Sequence, residues 1–238
     1  MAKDKTDNHN KMYINAEGKR VLRITEIIKV LAKDQLVTWA NMLGFKHVDY
    51  KKELERTSNI GTMVHAMLEQ YMDPRQIAIF DYEAYGVNEW QSRVEATNAV
   101  NSFFEWYDKL SKPFKIKFTE KVLIGMNYGG TIDCGIDGWD DPKKVIFVDY
   151  KTSPNFYLTQ FLQLCGYVRL YEELEGQDTV EGVMVIIMDK KHGDPARARF
   201  IPRDQLELLL TCFDCLYNTA VMTHMLNKSW WGLGKDIT

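Results

Sequence analysis

Apolar residues recur at spacings of three and four through the first half of the chain. Over residues 25–43, Ile27, Ile28, Leu31, Leu36, Trp39, Ala40 and Leu43 share a helical face or its flanks. Thr25 is placed to cap this helix and Gly44 to stop it, with a break near Asp34. Residues 51–72 predict a second helix, striped by Met63, Val64, Met67, Leu68 and Tyr71, with Pro74 just past its end. Residues 88–110 predict a third, where Trp90, Val94, Val100, Phe103, Tyr107 and Leu110 keep one face. An aromatic stripe at that spacing reads as core.

The texture then changes. Residues 114–126 read as a strand, 127–130 as a turn with paired glycines, and 131–137 as a second strand. A turn carrying Pro142 leads to residues 145–151, a nearly continuous apolar strand that ends in charge. A helix over 156–173, a buried strand over 180–188, its hairpin partner over 197–201 and a helix over 203–226 complete the order. This order predicts a mixed α/β fold with an N-terminal helical elaboration. Residues 1–20 read as a flexible N-terminal tail and 21–238 as a single domain, helical over 21–112 with an α/β core over 113–226.

Composition adds limits. Of 238 residues, 45% are apolar and 26% charged, the balance of a globular chain. A net charge of −3 means that any contact with nucleic acid must rest on a local basic patch. No stretch is apolar enough to span a bilayer, and the first residues lack the apolar segment of a secretory signal, so no membrane partner and a cytoplasmic location are expected. Among Cys134, Cys165, Cys212 and Cys215, the last two form a CxxC. It lies in an apolar helical pattern with no second CxxC nearby, which favours buried thiols over a metal site.

The chemistry concentrates at Val145-Ile146-Phe147-Val148-Asp149-Tyr150-Lys151. Strand side chains alternate, so Asp149 and Lys151 share a face. Alone, they read equally as an ion pair at a strand end. Asp133, on the preceding strand after Gly129 and Gly130, can lie beside Asp149. Two adjacent carboxylates call for a cation or a proton between them. Magnesium takes hard oxygen ligands, and a neighbouring ammonium can place water or offset phosphate charge. Asp137, Asp140 and Asp141 fit a solvated hairpin instead. His65 sits mid-helix, with Gly61 one turn before it and Glu69 one turn after. It reads as a structural histidine or as an imidazole completing the metal site. Gly61 costs the helix about 1 kcal/mol relative to Ala, which suggests a close approach there. Gln163 and Tyr167 share a face of the following helix and are either helix decoration or donors to phosphate or base. Lys190, Lys191, Arg197 and Arg199 form a basic stretch, open to phosphate binding or to simple solvation, as are Lys51, Lys52 and Arg56.

The ordered set Gly61…His65, Gly129-Gly130-Thr131-Ile132-Asp133, Asp149-Tyr150-Lys151 and Gln163…Tyr167 resembles the RecB-like branch of the PD-(D/E)xK nuclease superfamily. The opening Val21-Leu22-Arg23-Ile24-Thr25-Glu26-Ile27-Ile28, with Leu36 and Trp39, is similar to stand-alone phage-type members. The resemblance covers about residues 20–200. It implies a restriction-endonuclease-like mixed β-sheet flanked by helices. It implies metal ligands at His65, Asp133, Asp149 and the Tyr150 backbone carbonyl, with Lys151, Asp149 and Asp133 catalytic. Gln163 and Tyr167 become a supporting pair near DNA, and Glu120 falls where many relatives carry an acid. Arg197 and Arg199 are candidates for DNA contact. Some relatives hold an iron–sulfur cluster through one cysteine before the core and three after it. No cysteine precedes Cys134 here, so no such cluster is expected and the CRISPR adaptation branch is disfavoured.

The expected function is Mg2+- or Mn2+-dependent hydrolysis of DNA by an exonuclease of recombination, repair or phage replication. A recombination or replication partner and a homo-oligomer are compatible with it. The rival is a non-catalytic DNA-binding or scaffold protein on a nuclease-derived fold.

Overall fold

Val145, Ile146, Phe147 and Val148 are all buried, because a strand covered on both faces has no solvent side to alternate toward. A computed structural model describes residues 12–31, 34–72, 80–111 and 113–229. The elements run β1 (Tyr13–Ile14), β2 (Arg20–Arg23), α1 (Ile24–Ile28), α2 (Asp34–Phe45), α3 (Tyr50–Met72) and α4 (Trp90–Tyr107). Then come β3 (Ile116–Ile124), β4 (Tyr128–Asp137), β5 (Val145–Lys151), α5 (Leu158–Glu175), β6 (Val180–Ile187), β7 (Arg197–Pro202) and, after a single 3-10 turn, α6 (Glu207–Ser229). The result is a mixed seven-stranded sheet flanked by helices, consistent with a restriction-endonuclease-like α/β fold.

The strand order is β1-β2-β4-β5-β6-β7, with β3 on the other edge of β4. β5 and β6 are parallel, joined through α5, while β3, β4 and β5 form an antiparallel meander and β6 and β7 a hairpin. The sheet divides two cores. Val145, Phe147, Val183, Val185 and Ile187 pack with α1, α5 and α6. Ile146, Val148, Tyr150, Met184 and Ile186 pack with α3 and α4 around Phe103. Burying each such side chain contributes about 1.5–3 kcal/mol.

The first helical stretch does break as its pattern suggests, into α1 and α2. Other boundaries move for physical reasons. Tyr13–Ile14 and Arg20–Arg23 pair as strands although residues up to 20 read as a tail, because β2 adds to the free edge of β4 at Tyr128 and Gly129. Gly129 and Gly130 lie inside β4, paired with Ile124 and Leu123, rather than in a turn. They are glycines because of close packing: a Cβ on Gly130 would come within 2.5 Å of the Tyr167 ring, and one on Gly129 within 3.0 Å of Tyr13. Trp90 is 80% exposed instead of core, since α4 begins at that residue and its first turn faces solvent. Cys212 is half-buried and Cys215 exposed on α6, so the CxxC is not a buried pair. Arg56 is bound to Glu53, Glu95 and Ser92, which makes it a tie between α3 and α4 rather than a free basic group. Pro74 lies outside the described residues. No helix among the described residues is long and apolar enough to cross a membrane.

Gly61 also departs from expectation. A Cβ there would meet only Thr152 Oγ1, at an ordinary 3.7 Å. A Cβ on Gly166, in contrast, would come within 2.6 Å of the Phe213 ring and 2.9 Å of Ile24. In denaturant melts, Gly166→Ala should cost about 1–3 kcal/mol through overpacking. Gly61→Ala should be neutral or stabilise by up to about 1 kcal/mol. Equal effects of the two changes would contradict this packing.

Candidate active site at a fork in the sheet

β4 and β5 pair from Asp137/Val145 to Cys134/Val148 and no further. The next rung would join Asp133 to Asp149, and there the strands part. The parting has a local cause in β3 and β4. Phe118 and Leu123 pack on the same core, although an odd spacing in a regular strand would put them on opposite faces. In β4, Ile132 belongs to the α5 side and Cys134 to the α3 side. Alternation therefore reverses at the level of Glu120 and Asp133. Glu120 carries the strain with φ +48°, a left-handed conformation that a non-glycine residue adopts at a cost of order 1–3 kcal/mol.

The reversal turns Asp133 toward α3. Its Oδ2 accepts a hydrogen bond from the Tyr150 backbone N–H at 3.2 Å and lies 3.3 Å from His65 Nδ1. The other ring nitrogen of His65, Nε2, is 2.7 Å from the Tyr150 carbonyl. Tyr150 thus gives to two side chains the N–H and C=O that a neighbouring strand would have taken. His65 reaches it because α3 runs against the end of β5, with Gly61 beside Thr152 and His65 beside Tyr150. Two acceptors facing two ring nitrogens suit the imidazolium, which alone donates from both. Burial works against that charge, but the Asp133 carboxylate outweighs burial and raises the His65 pKa.

On the same strand, Lys151 Nζ sits 2.7 Å from each oxygen of Asp149. Only Oδ1 meets hydrogen-bond geometry, so Oδ2 is left buried without a hydrogen bond. The Asp149 side chain is 3% exposed, and its pKa is pushed up by burial and the Asp133 charge, against the pull of Lys151. Asp133 moves the opposite way. Burial raises its pKa, but His65, Lys151 and the Tyr150 N–H together hold it below the usual carboxylate range. Lys151 stays charged because the two aspartates outweigh its own desolvation. Two acids and two cations are thus interlocked at one strand end.

Glu120 and Asp133 line a small cavity with His65, Glu69, Thr119 and Tyr150. Glu69 was noticeable only as the residue one helical turn after His65, and Thr119 left no sequence signal. On the α5 side, Gln163 Nε2 donates to the Tyr167 hydroxyl at 3.2 Å, and the Tyr167 ring is 3% exposed against Gly130. The charges of both Asp133 and Asp149 act on that phenol. Arg197 and Arg199 lie off this cluster, on the edge strand β7. A separate group, Asp189, His192 and Asp194, brings three potential ligand atoms within 4.8 Å of one another after β6. It is largely exposed, and Asp189 Oδ1 is already engaged by the Lys191 N–H.

The donor types at the fork are those of a hard divalent cation site: two carboxylates, a peptide carbonyl turned out of the ladder, and an imidazole that ligates once it gives up a proton. His65, Asp133 and Asp149 do not already bring three ligand atoms within 4.8 Å of one another, as Asp189, His192 and Asp194 do, so an ion shared at the fork would have to draw them closer. No match was found among curated proteins. Residues 41–228 match the family description "PD-(D/E)XK nuclease superfamily", a span that holds every member of the fork. The chain belongs to the PD-(D/E)XK nuclease superfamily.

Proposed function

We propose that this protein is a Mg2+- or Mn2+-dependent deoxyribonuclease that hydrolyses phosphodiester bonds at the β4/β5 fork. The observation that carries the reading is the ion pair between Lys151 and the buried Asp149, which stands one rung past the end of the ladder, with Asp133 and His65 locked against Tyr150. Enzymes of this superfamily generally use divalent metals.

Asp133, Asp149, His65 and the Tyr150 carbonyl would hold the cation, with Glu120 at the cavity rim beside them. Bound there, such an ion supplies a polarised phosphate and a more acidic water. The remaining work falls to this chain's own groups. Lys151 holds a permanent positive charge within reach of the Asp149 oxygens, where it orients water and offsets charge developing on phosphate. Its ammonium has three donors, and Asp149 satisfies only part of them. Tyr167, fixed by Gln163 and by packing on Gly130, backs the two acids and keeps the α5 side closed to bulk water. Order and type of motifs favour a RecB-like, phage-type exonuclease acting on DNA ends in recombination, repair or replication. That assignment rests on family likeness, since a fold alone does not choose between end-dependent and internal cleavage.

Purified protein should degrade end-labelled linear DNA with magnesium or manganese, spare closed circular DNA, and stop in EDTA. Cleavage of circles at the linear rate would replace exonuclease with endonuclease, and inactivity on every DNA form with both metals would sink the enzyme reading. Lys151→Ala and Asp149→Asn should each lower turnover by about 10²–10³-fold with circular dichroism unchanged. Asp133→Asn should weaken manganese binding by calorimetry on the order of tenfold or more. Wild-type protein that binds manganese yet cuts nothing would favour the scaffold alternative.

A further inference from the structure

Arg197 and Arg199 remain unexplained by the core or by catalysis; both lie over Phe156, a ring that packs on the α5-side core. The guanidinium of Arg199 lies 4.7 Å from the centre of the Phe156 ring, and that of Arg197 lies 5.7 Å from it. Arg197 Nη2 also donates to the Pro154 carbonyl at 2.6 Å. Pro154 and Phe156 belong to the segment between Lys151 and α5. Both arginines are exposed.

Most other arginines are neutralised. Arg20, Arg23, Arg56, Arg169 and Arg203 each pair with a carboxylate, while Arg93 lies over the Tyr82 ring and donates to the Val87 carbonyl, away from the face of β7. Arg197 and Arg199 have no carboxylate partner among the described residues; they touch a ring and a carbonyl instead. One Pro154 bond uses one of the five N–H donors of Arg197, so most of the donor set of both groups stays available. A guanidinium held over a ring is pre-oriented and loses less freedom on binding a planar anion or phosphate.

The sheet register relates them to the fork. Asp149 pairs with Val185, which pairs with Arg199. Lys151 pairs with Ile187, which pairs with Arg197. Side chains on directly paired residues point to the same face, so the two arginines stand on the face of Asp149 and Lys151, two strands away. Two strand spacings are about 10 Å. At a stacked rise of about 3.4 Å per nucleotide, that is two to three nucleotides.

We infer that Arg197 and Arg199, held on Phe156, form a phosphate-binding step that grips the nucleic-acid strand two to three nucleotides from the bond at Lys151. The inference rests on the nuclease reading for its substrate, and it adds a binding site outside the metal cluster. The grip is to backbone phosphate, so it carries no base preference. It also answers how a chain of net charge −3 holds a polyanion: two unpaired cations are concentrated beside the reacting strand end.

The test uses the full chain and a fluorescein-labelled single-stranded DNA oligonucleotide in EDTA, with anisotropy titrations across a sodium chloride series. Arg197→Gln/Arg199→Gln should bind more weakly at low salt. Its plot of log affinity against log salt should be flatter by about 0.7 for each phosphate that is no longer neutralised, about 1.4 for both. With metal present, KM should rise while kcat at saturating DNA is retained. Phe156→Leu, which keeps both charges but removes the ring, should give a smaller loss of affinity with the wild-type slope. Wild-type affinity and slope in the double variant would overturn the inference. So would a fall in kcat with binding unchanged, which would mean that Arg197 acts only by holding the Pro154 segment. Wild-type protein that binds no DNA would overturn it as well. If wild type binds with the arginine-dependent slope but cuts nothing, the binding step stands and the nuclease reading falls.

Discussion

The site depends on one missing rung. Had β4 and β5 continued to pair, Asp133 and Asp149 would face each other across a ladder and the Tyr150 N–H and C=O would be spent on β4. The ladder ends at Cys134 and Val148 instead. Buried peptide groups must still find partners, because an unsatisfied one costs about 1–3 kcal/mol. Here the partners are the Asp133 carboxylate and the His65 imidazole. Backbone satisfaction and site assembly are therefore the same event: closing the hole left by β4 is what draws a helix histidine and a strand aspartate onto one peptide unit.

Two ion pairs show how differently charge is used in this molecule. Arg203 clamps Glu172 through Nε at 2.9 Å and Nη2 at 3.1 Å, and binds Glu207 as well. Both oxygens of Glu172 are matched by a planar fork, and the pair ties α5 to the turn before α6. At the fork a single ammonium faces both oxygens of Asp149 at 2.7 Å, and only Oδ1 meets it in hydrogen-bond geometry. Taking charges out of water costs several kcal/mol per ion, and an imperfect pair recovers less of it. A buried charged group held in so imperfect a match is costly to fold, and perturbed groups of this kind cluster at functional sites.

The sequence made part of this legible. Continuous apolar character over Val145–Val148 marked β5 as doubly covered, and strand alternation alone put Asp149 and Lys151 on one face. Order along the chain pointed to His65, since no periodicity distinguishes a ligand histidine from a core one. What stayed hidden was governed by contacts far apart in sequence. Gly129 and Gly130 look like a turn because local preference is all that neighbouring residues reveal, yet their glycines answer to Tyr13 and Tyr167. The left-handed Glu120 could not be foreseen, because nothing in an ordinary strand sequence announces a reversal of alternation. Gly61 misled in the other direction: a glycine in a helix suggested crowding, and the neighbouring space is ordinary.

The same long-range logic links two motifs that sequence spacing treats as separate. Gly130 has no side chain where the Tyr167 ring lies, and any Cβ there would come within 2.5 Å of it. The ring can therefore pack directly on β4, three residues before Asp133. Gln163, one helical turn earlier on α5, then fixes the hydroxyl at 3.2 Å. Gly166, next to Tyr167, lets α5 approach Phe213 and Ile24 closely enough to hold that depth. The glycine pair of β4 and the glutamine–tyrosine pair of α5 are two halves of one contact, and its function is to press the helix against the strand that carries Asp133. His65 supports the fork from the α3 side and Tyr167 from the α5 side. Asp133 is held between two helices that pack on opposite faces of the sheet, so its position answers to both cores at once.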